Sequence, residues 1–224
     1  GEITTYDSLD HSLGQARGNV YLAGKCWASY LALEKLLGQL DEVAAAASAR
    51  AGAVRCAESL EAAYDESLGF IPAVLENNNQ SAIIPAAEAL VYPWQMGLKD
   101  AVDEEGPFGG YIRMLKRHLQ NILNPEMCLY EDGGWKLSSS ADNSWMSKIS
   151  ISQFVVREIL GMSYEGEERA DAAHVSWQVK GSEFYACSDQ FGAGKPIGSL
   201  YYPRIVANIL WMDSDAMKHH PIPE

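Results

Sequence analysis

Three short stretches hold the residues best able to do chemistry. The first is Thr4-Thr5-Tyr6-Asp7-Ser8-Leu9-Asp10, with two acidic side chains three apart just ahead of a helical pattern. A carboxyl shielded by an aromatic neighbour such as Tyr6 has its pKa raised, which suits it to general acid/base work. The same two carboxylates could instead cap a helix by accepting its free N–H groups. The second runs from Asp132-Gly133-Gly134-Trp135 to Asp142-Asn143-Ser144-Trp145. Trp rings beside Asp and Asn can stack on a pyranose face while the polar groups fix its hydroxyls. The competing reading is a turn, a helix cap at Asn143 or Ser144, and two core tryptophans. The third is Tyr201-Tyr202-Pro203-Arg204, where an arginine sits at a helix start that favours anions. Arg204 then reaches a carboxylate or a ligand oxygen, or forms a plain surface ion pair.

Other polar residues point elsewhere. His11, His118 and His174 stand singly and read as structural or exposed, and His219 and His220 belong to the chain's last residues. No GxGxxG, GxxxxGK[ST], HExxH or GxSxG occurs, so dinucleotide, P-loop, zincin and serine-esterase chemistry lose their main support. No metal site and no cofactor are expected.

The elements that must position these stretches are helical. Apolar residues recur at Val20, Ala23, Trp27, Tyr30, Leu31 and Leu37 in steps of three and four, within a pattern spanning Ser12 to Leu40. Asp41 is expected to cap an Ala-rich helix that runs to about Asp65. Further helices are predicted near 86–98, 108–123, 144–162 and 169–180, and a last one starts at Pro203, where proline suits the first turn. Between them lie long polar loops over 67–85, 124–143 and 188–202, with Asp132-Gly133-Gly134 as a turn. Loops longer than about 12 residues inside a compact domain usually carry function. The pattern predicts an all-α fold of antiparallel helix hairpins, with at most short strands in the loops and the site at one end. About seven helices cannot close a toroid of about twelve, so an uncovered apolar seam is expected, favouring self-association or packing against missing helices.

Composition narrows the classes. The chain has 224 residues, 47% of them hydrophobic, which excludes a disordered chain. A net charge of −13 argues against nucleic acid, whose phosphates would be repelled. No apolar run reaches the roughly 18 residues of a membrane span. Cys26, Cys56, Cys128 and Cys187 lie far apart without a CxxC pair, so neither zinc nor a disulfide framework is indicated. Cys26 and Cys56 fall within helical patterns, where a reduced thiol is the usual state. The opening Gly-Glu-Ile-Thr-Thr-Tyr-Asp has no initiating Met and no signal peptide, and reads as a cut inside a longer protein. The compartment is not legible from that end; a bacterial cytoplasm is the expectation.

Several segments together resemble the β-xylosidases of glycoside hydrolase family 52: ITTYDSLDHSLGQARGNVYLAGKCWASYLALEKLL, IIPAAEALVYP, DGGWKLSSSADNSWMSKISISQF, ADAAHVSW and SLYYPRIVANILWMD. The match covers nearly the whole chain. The Thr-Tyr-Asp segment and the closing Tyr-x-Arg helix are also similar to family 116 β-glucosidases. The resemblance implies a β-sandwich followed by an (α/α)6 barrel, with residues 1–224 forming the C-terminal part of that barrel. It also implies removal of β-linked xylose with retention of configuration, acting on xylo-oligosaccharides or aryl β-xylosides. On this reading Asp7 is the general acid/base, with Asp10 as the fallback. Thr5, Tyr6, Trp135, Asp142, Trp145 and Arg204 line the sugar. The family's Glu nucleophile has no counterpart in the chain, which leaves a half-site.

Unusually abundant small residues, among them Gly18, Gly24 and Ala44 to Ala47, depart from the family pattern and point to altered helix packing. Two other readings remain: a non-catalytic helical carbohydrate-binding or interaction fragment, and an inverting glycosidase pairing Asp7 with Asp142 or Glu131. An inverting pair requires a carboxyl separation of roughly 6.5–9.5 Å, against about 5–5.5 Å for retention.

Overall fold

The computed structural model describes Leu13, 16–179, 188–198 and 209–213. Among these residues the chain is mostly helical, in line with the all-α expectation, with one small sheet. Helix α1 spans Val20–Gln39 and starts where the Asn19 side chain accepts the Leu22 N–H at 3.2 Å. It buries Val20, Tyr21, Gly24, Trp27, Ala28 and Leu31, the stripe expected from steps of three and four. Helix α2, Val43–Glu61, returns antiparallel and packs extensively along α1.

The turn between them corrects one expectation. Asp41 does not cap α2: its backbone is left-handed at φ 58°, and Glu42 occupies the cap position without a side-chain hydrogen bond. An aspartate tolerates that conformation better than most residues, and the turn rather than a cap is what uses it.

The long loop after α2 folds back along α1. Asn19 bridges to Val74, and Asp65 organises a tight turn through hydrogen bonds from the Ser67 and Leu68 N–H groups. The chain then enters the core as a 3-10 segment, Ile84–Leu90, in which every residue is buried. Short helix α3, Val91–Gln95, and a 3-10 turn at Lys99–Val102 follow. The single helix expected over 86–98 is therefore divided. Pro93 brings no N–H for a helical bond and Pro85 occupies the first turn, so regular α-helix cannot run through the stretch.

Helix α4, Gly109–Ile122, buries Tyr111, Ile112, Leu115, His118 and Leu119 on one face. Trp27 of α1 meets Phe108 and Tyr111 edge-on at 5.4 and 5.3 Å between ring centroids, a favourable arrangement for aromatic pairs. Helix α5, Met146–Phe154, ends in a π-helical turn over Val155–Ile159, and α6 covers Glu167–Val179.

Strands β1 (Asn143–Trp145), β2 (Gln190–Gly192) and β3 (Lys195–Gly198) form an antiparallel sheet in that order. The β1–β2 register sets Asn143 opposite Gly192, Ser144 opposite Phe191 and Trp145 opposite Gln190. Asn143 and Ser144 are thus strand residues and do not cap the following helix. The helix expected from residue 144 starts at Met146 because pairing with β2 holds the preceding backbone extended.

Candidate functional site

The loop over 124–143 is folded as expected at its tip and differently at its root. Asp132-Gly133-Gly134 makes a tight turn between Leu129 and Trp135, which bridge antiparallel, with Gly133 at φ 89°. The Asp132 carboxylate accepts the Gly134 N–H at 3.0 Å and the Trp177 indole N–H at 2.8 Å. A Cβ added at Gly134 would lie 2.0 Å from the Trp177 ring, so glycine is required there by direct contact.

Trp135 lies in the core. Its side chain is completely buried, its indole N–H donates to the Tyr164 hydroxyl at 2.7 Å, and its backbone N–H donates to His174 Nε2 at 3.0 Å. Its carbonyl accepts from the Ser144 hydroxyl at 2.7 Å. A ring held this way has no free face to stack on a sugar. It fixes the loop that carries Asp142 and Trp145. Asp142 is exposed, and its carbonyl accepts from the Tyr130 hydroxyl at 2.8 Å and the Ala193 N–H at 3.1 Å. Trp145 is half-buried at the end of β1. Thr5, Tyr6, Asp7, Asp10 and Arg204 lie outside the described residues.

The start of α5 is held from a distance. The buried Asp189 carboxylate accepts the Ser147 N–H at 2.8 Å and the Ser147 hydroxyl at 2.9 Å, and its carbonyl accepts the Met146 N–H at 2.8 Å. A carboxylate at a helix N-terminus also faces the positive end of the helix dipole.

The first turns of α1 and α5 converge on a polar cluster that the sequence reading missed. Glu88, from the buried 3-10 segment, is only 3% exposed. One of its oxygens contacts Lys25 Nζ at 3.1 Å and accepts from the Tyr21 hydroxyl at 3.1 Å; the other lies 3.5 Å from Lys148 Nζ. Lys25 also donates to the Tyr21 oxygen at 2.5 Å, and Lys148 donates to the same atom. Tyr21 thus accepts twice and donates once, which uses its full hydrogen-bonding capacity.

Burial opposes the charge on Lys148, but Glu88 and the Tyr21 hydroxyl outweigh it and hold its pKa above the usual lysine value. Burial, with Glu88 beside it, pushes the Tyr21 phenol up, so the phenol stays neutral. Two ammonium groups, one carboxylate and a neutral phenol leave a net single positive charge in an otherwise acidic chain. Glu88 has both oxygens engaged and almost no exposure, so it acts as a brace rather than as a carboxylate open to a substrate. The signal in the sequence was one acid inside the apolar run Ile83 to Val91.

Beside the start of α5 lies a cleft of about 560 Å³ lined in part by Met146, Gln153, His174, Gln178 and Trp211. An aromatic ring with two amides, beside the Arg157–Asp171 ion pair at the same cleft, is a lining that can hold a small polar ring. His174 and His118 are structural. Each accepts a backbone N–H on one nitrogen, His174 from Trp135 at 3.0 Å and His118 from Ile71 at 3.3 Å. His118 Nε2 pairs with the Ile83 carbonyl at 2.9 Å. Burial lowers both to about 4, so both are neutral at pH 7.

Among the described residues, no group of three or more His, Cys, Asp and Glu could hold a metal ion. Nor is any helix there long and apolar enough to cross a membrane.

No family model matches the chain. The chain is 50% identical over 214 residues to a beta-xylosidase of Geobacillus stearothermophilus, an alignment covering 95% of this chain. The chain spans 30% of the length of that relative.

Proposed function

We propose that this chain is part of a retaining β-xylosidase of the family 52 type, contributing the general acid/base to an (α/α)6 catalytic barrel. The observation that carries the reading is the 50% identity to the Geobacillus enzyme, which extends over 214 residues and 95% of the chain. The helical fold and the Gly-rich, aromatic loop packed on α6 support it.

In this mechanism the acid form of Asp7 protonates the oxygen of the departing group while a Glu nucleophile contributed from outside these residues attacks the anomeric carbon. Asp7 then removes a proton from the water that releases xylose. On this reading Trp145 and Asp142 bind the sugar, and the family resemblance adds Thr5, Tyr6 and Arg204 to the same role. The cleft beside Met146 and Trp211 has room for a pentose, and the substrates are xylo-oligosaccharides or aryl β-xylosides. Trp135 supports the loop from beneath.

The test uses Asp7→Ala in the complete enzyme. Substrates with poor leaving groups should lose about 10²–10⁴-fold in rate, because general acid help is worth that much. Activated aryl xylosides should be slow only in the second step. Azide, which needs no base, should restore turnover and give a β-azide product with retained configuration. A residue that merely capped a helix would lower the melting temperature by an amount matching about 0.5–2 kcal/mol and leave the chemistry intact. Rescue at Asp10→Ala and not at Asp7→Ala would move the assignment by three residues. An α-configured product would reject retention. The isolated chain should hydrolyse aryl β-xylosides negligibly, and turnover matching the intact enzyme after repurification would reject the half-site.

A further inference from the structure

Helices α1 and α2 approach closely where Tyr30 covers Gly52. A Cβ added at Gly52 would sit 2.7 Å from the Tyr30 ring, so the helices touch backbone to side chain at that level. In an antiparallel hairpin one residue number rises as its partner's falls. One turn further from the connecting turn, four residues along each helix, Cys26 therefore comes opposite Cys56. Both thiols are free, both are half-buried, and both line one cavity of about 360 Å³ together with Tyr30, Gly52 and Ser59. Ser59 and the neighbouring Arg55 are exposed, so the cavity reaches solvent.

We propose that Cys26 and Cys56 are a redox-active dithiol that closes a disulfide across the α1–α2 hairpin when a peroxide enters this cavity. Burial raises the Cys56 thiol pKa, with Cys26 close enough to raise it further, so Cys56 stays protonated and is the second thiol of the sequence rather than the one that attacks the peroxide. A disulfide requires Cα atoms within roughly 4.4–6.8 Å, which facing positions on helices packed through glycine can meet with little movement.

The chemistry balances with hydrogen peroxide as oxidant. One thiolate attacks the peroxide O–O bond and becomes a sulfenic acid, releasing one water after proton transfer. The second thiol attacks the sulfenyl sulfur, forms the S–S bond and expels the second water. Two thiols are oxidised by two electrons in all, and one peroxide is reduced to two waters.

The test is run on the full-length protein, reduced, treated with a small excess of hydrogen peroxide, and then alkylated. Non-reducing peptide mapping should show a Cys26–Cys56 linked peptide with a mass loss of two hydrogen atoms. Dithiothreitol should reverse all of it. The oxidised protein should melt at a higher temperature, since the crosslink restricts the unfolded chain. Cys26→Ser and Cys56→Ser should each abolish the linked peptide and the peroxide-dependent shift. Should a serine variant fail to fold, mapping of the unsubstituted protein decides alone. Any other outcome there overturns the proposal: a different pairing, an intermolecular link, sulfinic acid at either position, or two thiols that remain unchanged.

Discussion

His118 accepts a hydrogen bond from the Ile71 N–H on one ring nitrogen and pairs with the Ile83 carbonyl through the other, so a second ring proton has no acceptor. His174 Nε2 likewise accepts the Trp135 N–H. Each folded pKa stands near 4 against an unfolded value of about 6.5. The unfolded chain therefore binds more protons in that interval, and stability is complete above pH 6.5 and is lost as pH falls towards 4. The loss should approach roughly 3 kcal/mol per histidine. Urea unfolding from pH 7 to pH 4 measures it, and His118→Gln and His174→Gln should each flatten the slope; an unchanged slope in both would refute the assignment.

Glu88 gives a second prediction at the same scale. Removing its charge leaves two partly buried ammonium groups without their counterion, so Glu88→Gln should cost about 3 kcal/mol, read as a lower denaturation midpoint. Lys148→Met in the same background should recover part of the loss, because it removes one of the uncompensated charges.

Among the elements, the start of α5 depends on a single remote side chain. Asp189→Ala should destabilise by about 1–2 kcal/mol and expose the Ser147 amide to hydrogen exchange, while the Met146 amide keeps its backbone partner and α1 and α2 keep their protection. The periodic helices were readable in advance. Steps of three and four marked α1, which starts at Val20 rather than near Ser12, the Ala-rich stretch marked α2, and α4 fell within the expected 108–123. The divided segment over 84–95 was not, because a 3-10 run surrounded by core on all sides shows apolar residues at every position and no period. The sheet was equally hidden. Its strands are three or four residues long, and β1 finds its partner 45 or more positions away. Site residues were legible as types rather than as places: Trp135, Asp142 and Trp145 stood out together, and only tertiary packing sends the first into the core and leaves the second in water. Cluster members Tyr21, Lys25, Glu88 and Lys148 come from three separate elements, and no spacing along the chain announces them.

For the molecule as a whole, the second half of α1 carries Leu33, Leu36 and Leu40 exposed, with Val43 just beyond the turn. Steps of three and four set the leucines on one side of the helix, and a contiguous apolar stripe of this kind favours association. On the proposed reading it packs against other helices of the barrel. The isolated chain should therefore appear as dimers or larger species by light scattering after size exclusion. Leu36→Glu with Leu40→Glu should return it to a monomer. A monodisperse monomer of the unsubstituted chain would count against that reading, and a far-ultraviolet spectrum dominated by β-structure would count against the fold itself.

The pairing of Asp189 with Ser147 also has a consequence in time. The two residues are 42 positions apart. At a synthesis rate of about 5–20 residues per second, the ribosome makes the cap roughly 2–8 seconds after the helix that needs it. Through that interval the leading amides of α5 have only water to bond, and β1 has no strand beside it. A nascent chain arrested before residue 188 should thus hold a finished α1–α2 hairpin next to an α5 still fraying at its first turn, and it is at this junction that a protease or a chaperone would find it.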